Sequence, residues 1–384
     1  DDTYRVDHSG DILLEAATAG GGVDRVYASR SWTLADNLEQ LVLTGTGSAA
    51  TGNGLANILA GNSANNTLDG MAGADTMSGG SGNDVYRVDN AGDVVRESTD
   101  ATGGTDRVLS SRGWVLADGV EQLYLEGTAN VSAVGNALGN ALRGNSGSNV
   151  LDGRAGADTM RGGDGDDTYR VDHVGDDIGE SSLPGGGVDR VVSTISWDLA
   201  SGFEDLTLAG SADFIFGLGT SLNNTLVGNG GINGLSGRAG NDTLDGGGGR
   251  DGLLGNSGAD VFRFSSVADS TGAAFDGIGD FVRGTDRIDL SRLDANAGLA
   301  GRQDFSFIGS SAFGANATGQ LRYARVSQQV IDAAEQLLNQ AGVTIDLTTT
   351  SAVMLFGSTD ADAQAEFAVA IVGTTALSAA DLLL

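Results

Sequence analysis

The sequence predicts an all-β solenoid, a stack of parallel coils closed at its C-terminal end by a β-rich cap with one short helix. Three observations carry that expectation. A nine-residue unit, with glycine in its turn and one large apolar residue at its eighth place, occurs in three bursts. A longer unit of about 83 residues repeats around those bursts. The 384 residues include 63 glycines and a single proline, a composition that fits a solenoid better than an ordinary packed domain.

The nonapeptide registers are clean. Units begin at Gly52, Gly61, Gly70 and Gly79, then at Gly135, Gly144, Gly153 and Gly162, then at Gly219, Gly228, Gly237, Gly246 and Gly255. Glycine at the first, often the second and the fourth place allows backbone angles that other residues avoid, so the carbonyls of such a turn can converge. The eighth place carries Leu, Met, Tyr or Phe. With its two neighbours it reads as a very short strand whose centre is buried. Two nonapeptides make one coil, so equivalent residues 18 apart stack at the strand spacing of about 4.8 Å.

The sixth place carries the chemistry. It reads Asn57, Asn66, Asp75, Asp84; then Asn140, Asn149, Asp158, Asp167; then Asn224, Asn233, Asp242, Asp251, Asp260. Stacked carboxylates about 5 Å apart repel by roughly 3 kcal/mol at an effective dielectric near 20. Each nonapeptide buries about one large side chain, worth roughly 1.5–3 kcal/mol before entropy. Burial alone therefore does not hold the stack. A hard cation with six or more oxygen ligands resolves the conflict, and calcium suits an irregular cage of carbonyls and carboxylates. Several Ca2+ ions are expected, with these thirteen residues as ligands. Asparagine supplies an acceptor without charge. Asp242 with Asp260 is the Asp–Asp pair in these registers, so the tightest site is expected in the third burst.

Units such as Gly79-Gly-Ser-Gly-Asn-Asp-Val-Tyr-Arg87 closely resemble the RTX, or hemolysin-type calcium-binding, nonapeptide family. The resemblance implies a right-handed parallel β-roll, calcium between stacked turns, and export through a type I secretion channel.

The longer period appears as Tyr4-Arg-Val-Asp7, Tyr86-Arg-Val-Asp89 and Tyr169-Arg-Val-Asp172, and as Trp32, Trp114 and Trp197. Between them run Asp24-Arg25, Asp106-Arg107 and Asp189-Arg190, read as ladders of stacked ion pairs. Alternating apolar segments such as Glu39-Gln-Leu-Val-Leu43 follow. These stretches are expected to be wider coils of the same solenoid. The expected division is 1–85, 86–168 and 169–263 for three solenoid copies, with rolls at 52–87, 135–170 and 219–263, and 264–384 for the cap. Asp1-Asp-Thr-Tyr-Arg-Val-Asp-His8 matches Asp166 to His173, so the natural protein is expected to extend upstream of Asp1, and Asp2 joins the candidate ligands.

From Asp260 to about 325, and again from Ala352, the chain resembles the C-terminal domain that follows the roll in serralysin-type secreted proteases. Asp276, Asp280, Asp286 and Asp289 are further candidate calcium ligands there, whereas Asp360, Asp362 and Glu366 read as an acidic hairpin loop. Val330 to Ala341 has apolar residues at helical spacing and Gly342 as a stop, the expected inserted helix. Leu377 to Leu384 resembles the family's uncleaved secretion signal.

The formal charge is −30 and every basic residue is arginine, which excludes nucleic acid as a partner. Cysteine is absent, so there is neither disulfide nor thiol chemistry. No apolar run approaches a membrane span. No His-Glu-x-x-His or Gly-x-Ser-x-Gly motif occurs. His8 and His173 occupy one repeat position, filled by Asn90 in the other copy, and read as coil positions rather than general bases. The expected function is a non-catalytic, secreted structural or adhesive module: part of a surface layer, filament or adhesin, retained on a Gram-negative surface. Its expected partners are a type I exporter, further copies of itself and a cell-surface glycan. The alternative is the folding-and-secretion tail of a larger enzyme, a protease, lipase or polysaccharide epimerase.

Overall fold

A residue triplet with one inward side chain cannot make a stable strand alone, so each triplet depends on the ones stacked above and below it. The computed structural model describes residues 1–15, 22–99, 103–180, 186–296, 298–314, 316–326, 332, 351–360 and 364–384. It comprises two compact units, Asp1–Gly187 and Val188–Leu384.

In the first unit, strands of two to four residues form parallel sheets. Ile58–Ala60 pairs with Thr76–Ser78, and Thr67–Asp69 with Val85–Val88, each 18 residues on. Alternate nonapeptides thus enter two different sheets, and two of them complete one coil. The eighth-place residues Leu59, Leu68, Met77, Tyr86, Leu151, Met160 and Tyr169 are fully buried in columns along the coils.

The stretches between rolls continue the same sheets. Arg107–Ser110 pairs with Val85–Val88 on one side and with Gln122–Leu125 on the other. The ladder step here is 22 residues and then 15. The expected wide section is therefore one longer coil followed by one shorter coil. Adjacent strand residues face opposite ways, which corrects the expected ion-pair ladders. Asp24 and Asp106 are buried, while Arg25 and Arg107 point outward to Gln40 (2.7 Å) and Gln122 (2.8 Å).

In the second unit, one parallel sheet runs from Arg190–Ser193 through Asp205–Leu208, Thr225–Val227, Thr243–Asp245, Val261–Arg263 and Arg287–Asp289 to Leu382–Leu383. The other sheet reaches Asp276–Ile278, which pairs in parallel with Phe367–Val372. From there the direction changes: Phe367–Val372, Ala352–Ser358 and Gln320–Arg325 are antiparallel neighbours. These strands cover the last coil's open edge, which would otherwise present unpaired backbone groups. Phe264 packs edge-on against Phe367, ring centroids 5.2 Å apart.

The residues resembling an export signal are an integral part of this cap. A 3-10 turn, Ala379–Asp381, precedes the last strand. Buried Asp381 accepts hydrogen bonds from Ser378 (2.7 Å) and the Gly284 N–H (3.1 Å) and pairs with Arg283. Apart from residue 332, the helix expected over 330–341 lies outside the described residues.

Leu244 is fully buried between Leu226 and Phe262 in adjacent strands. Leu244→Ala in saturating calcium is expected to cost about 2–5 kcal/mol in urea unfolding. A loss within about 0.5 kcal/mol, as at a surface site, would contradict the buried column.

Candidate metal centres in the aspartate turns

Nonapeptide turns ending in asparagine and those ending in aspartate have different backbones. In the aspartate turns the second place is left-handed: φ is 60° at Met71, 61° at Arg154, 72° at Arg238 and 64° at Asn256, with Gly80, Gly163 and Gly247 alike. The fourth place is also left-handed, as at Gly73 (137°) and Gly156 (129°). Glycine is required at the fourth place because a Cβ on Gly73 would collide with the Leu55 carbonyl of the neighbouring coil. The asparagine turns place Asn53, Asn62, Asn136, Asn145, Thr220 and Asn229 at the second position, none with positive φ.

This difference decides what the sixth residue does. In asparagine turns the side chain closes its own loop. Asn57 Oδ1 accepts the Asn53 N–H (2.7 Å), and its Nδ2 donates to the Leu38 carbonyl (3.1 Å). Asn66 Oδ1 accepts from the Asn62 N–H and its Nδ2 donates to Gly47; Asn140 repeats this with Asn136 and Val120. Asn149 does so with Asn145 and Val131, and Asn224 with Thr220 and Phe203. Asn233 Oδ1 accepts from the Asn229 N–H. The second-place side chain completes the loop, as Asn53 Oδ1 accepts the Leu55 N–H (2.9 Å).

In aspartate turns one carboxylate oxygen joins a ladder. Asp75 Oδ1 accepts the Asn57 N–H (2.7 Å), Asp84 the Asn66 N–H (2.6 Å), Asp158 the Asn140 N–H (2.7 Å) and Asp167 the Asn149 N–H (2.6 Å). Asp242, Asp251 and Asp260 accept likewise from Asn224, Asn233 and Asp242. The other oxygen, Oδ2, is buried without a hydrogen-bond partner in Asp75, Asp84, Asp158, Asp242, Asp251 and Asp260. It lies against the glycine that opens the turn: a Cβ on Gly70, Gly153, Gly237 or Gly255 would strike it. A buried carboxylate oxygen left without a donor is unstable unless protonated or bound to a cation. The oxygen-only donor set and the glycine-lined approach fit calcium.

The ladders also contain residues that sequence reasoning missed. Asp93 accepts the Asp75 N–H and Asp176 the Asp158 N–H, both 3.0 Å. They stand at the sixth place of one more unit, Val88–Arg96 in the first case, whose leading glycine is absent; counting nine from Asp84 finds Asp93. Asp106 accepts the Asp84 N–H (2.7 Å), and Glu121 accepts the Asp106 N–H (2.8 Å). Asp–Asp stacking therefore occurs in both units, and the expected singularity of Asp242 with Asp260 does not hold.

The remaining candidates divide. Asp2 is exposed, with its N–H on Asp24 Oδ1 (2.5 Å). Asp276 and Asp286 extend the ladders into the cap, accepting from Asp251 (2.8 Å) and Asp260 (3.1 Å). Asp276 Oδ2 is buried and unpartnered. Asp280 binds the N–H groups of Gly255 and Asn256. Asp289 is turned to Arg263 (3.1 Å) and Ser291, an ion pair beside the ladder; despite burial, these donors hold its carboxyl below the usual range. His8 and His173 are exposed, and each Nδ1 accepts the N–H two residues on, as Asn90 Oδ1 does in the other copy.

Residues 125–384 match the family described as the peptidase M10 serralysin C terminal. The chain belongs to that serralysin C-terminal family. Residues 51–86 match the RTX calcium-binding nonapeptide repeat in four copies. The chain is also similar, at 28% identity, to the solution structure of a subunit from the Azotobacter vinelandii mannuronan C5-epimerase. That likeness covers 49% of this chain and 82% of the other, with a TM-score of 0.28. No curated protein matches. This member of the serralysin C-terminal family is thus a calcium-binding, secreted β-roll module.

Burial pushes the carboxyls of Asp75 and Asp158 up to about 6 and that of Asp242 to about 7, against the pull of their ladder hydrogen bonds. Burial also raises Asp251 and Asp276. An unfolded aspartate titrates near about 3.9. The metal-free fold therefore gains stability from these groups at low pH and loses it as pH rises through about 6–7. In chelator, the β signal in circular dichroism is expected to weaken between about pH 5 and pH 8, and calcium should abolish the trend. A signal that strengthens with pH in chelator would contradict this reading.

Proposed function

We propose that this chain is a non-catalytic structural or adhesive module of a bacterial surface layer, filament or adhesin, which folds outside the cell when calcium fills its aspartate turns. The proposed ligands are Asp75, Asp84, Asp158, Asp167, Asp242, Asp251 and Asp260, with Asp276 at the cap; Asp286 extends the ladder but spends its Oδ2 on the Val282 N–H (2.7 Å). The asparagine turns serve as calcium-free spacers, because each amide oxygen already accepts a backbone N–H of its own loop. The unpartnered Oδ2 atoms carry the calcium-dependent folding. The tripled 83-residue unit favours a structural role, since a secretion tail needs only one roll.

A second reading, the folding-and-secretion tail of a larger enzyme, is favoured by the match to a peptidase family's C-terminal region. In both readings the C-terminal end engages a type I exporter while the chain is still unfolded. Further copies of the chain or a cell-surface glycan are the proposed extracellular partners.

Far-UV circular dichroism is the first test. The chain is expected to be largely disordered in chelator at neutral pH and β-rich in millimolar calcium, with magnesium ineffective because it demands tight octahedral geometry. A β spectrum indifferent to chelator would sink the proposal. Export is the second. In cells with a matched type I exporter, a chain truncated before Ala352 should stay inside while the intact chain leaves. Equal export of both would place the signal elsewhere. To separate the two roles, the purified module can be tested for ordered self-assembly and glycan binding in calcium; a module that does neither favours the enzyme tail.

A further inference from the structure

Glu97 belongs to no nonapeptide and to no ladder, yet the fold brings it to two of the ladder's acids. Asp84, in the last aspartate turn of the first roll, Asp106, in the longer coil that follows, and Glu97 between them each offer a carboxylate oxygen. All three oxygens lie within 4.8 Å of one another. Asp84 and Asp106 are 1% and 0% exposed. Each spends Oδ1 on a backbone N–H of the preceding coil, at 2.6 and 2.7 Å, and each holds a buried Oδ2 without a partner. Glu97 is fixed by two donors, the Ser98 N–H (2.9 Å) and the Tyr86 hydroxyl. Tyr86, itself fully buried, in turn accepts the Gly79 N–H (2.7 Å), at the opening of the Asp84 turn.

The same constellation recurs earlier in the first unit. Asp2, Glu15 and Asp24 also bring three carboxylate oxygens within 4.8 Å. The Tyr4 hydroxyl donates to Glu15 (2.6 Å), the Asp2 N–H donates to Asp24 Oδ1 (2.5 Å), and Asp24 Oδ2 is buried without a partner. A tyrosine that orients the glutamate, and two aspartates joined by one ladder step, thus recur on the same repeat positions.

We propose that Asp84, Glu97 and Asp106 form a calcium site of a second kind, placed where the ladder step lengthens from 18 to 22 residues. It differs from the nonapeptide sites in taking a glutamate from outside the turns. Three converging carboxylates carry too much charge for a buried position without a cation. Their hard, anionic oxygens select calcium over softer metals. The bound ion ties the roll's last turn to the coil beyond it, so the interruption of the nonapeptide pattern does not interrupt the cation column. Asp2, Glu15 and Asp24 form the equivalent site.

The proposal rests on the calcium-dependent reading above, and the test separates the two. Bound calcium is counted by equilibrium dialysis on the whole chain at saturation, with circular dichroism as the check on folding. Glu97→Gln keeps the size and the acceptor for Tyr86 but removes one charge. It is expected to bind one calcium ion fewer than the unaltered chain, with the β spectrum retained. An unchanged count in a folded Glu97→Gln chain overturns the second site and leaves the turn sites standing; an unaltered chain that binds no calcium overturns the earlier reading instead. Should Glu97→Gln not fold, terbium decides. An ion held by Glu97 lies beside the Tyr86 phenol, so tyrosine-sensitised terbium emission per bound ion is expected to fall in Tyr86→Phe. Unchanged emission would mean that no ion sits there and would overturn the proposal.

Discussion

The structure depends on one unmet demand: a buried aspartate oxygen that the protein itself gives no hydrogen-bond partner. Each such carboxylate is half satisfied. One oxygen receives a backbone N–H from the coil before it, which fixes the register of stacking. The other faces a glycine that leaves room and supplies no donor. Apolar burial along the eighth-place columns is real but thin, about one large side chain per nonapeptide. Balancing the buried charges therefore decides whether the stack stands, and a divalent cation does so without adding any protein core.

The two turn types divide the work. An asparagine turn such as that of Asn57 is complete in itself, because its second and sixth side chains satisfy the loop's own amides and reach the preceding coil; in the turn of Asn233 only Oδ1 is used and Nδ2 is buried without a partner. An aspartate turn twists its second and fourth residues into the left-handed region and leaves an oxygen open. Each roll thus starts on asparagine turns and passes to aspartate turns such as those of Asp75, Asp158 and Asp242, which leave an oxygen open. At the end of the second unit the ladder passes through Asp276 and Asp286 into the cap, whose strands pair with the last coils and hold the terminal leucines.

Much of this was legible because a period is hard to disguise. Counting nines located Asp75, Asp84 and Asp242 and their buried partners Met77, Tyr86 and Leu244 without ambiguity. What was lost lay where the count outran its glycines. Asp93 keeps the ninefold spacing but has no leading glycine, so the glycine pattern ends the roll before it. Asp106 reads as an ion-pair neighbour of Arg107 because the two are adjacent in sequence, although strand geometry points them apart. The split between asparagine and aspartate turns was visible only in part. Glycine at the fourth place marks every aspartate turn, but Gly147 and Gly231 occupy that place in asparagine turns without positive φ. The left-handed backbone at Met71 and Arg154 has no sequence signature, since neither residue favours it.

The central claim is that cations sit where carboxylate oxygens are orphaned and nowhere that asparagine amides are already bonded. Anomalous diffraction from crystals grown in calcium locates those ions directly. The account predicts calcium against Oδ2 of Asp75, Asp158, Asp242 and Asp251 and no ion within bonding distance of Asn57, Asn140 or Asn224. Calcium coordinated by those asparagines, or aspartate turns that stay free of metal at saturation, would contradict it.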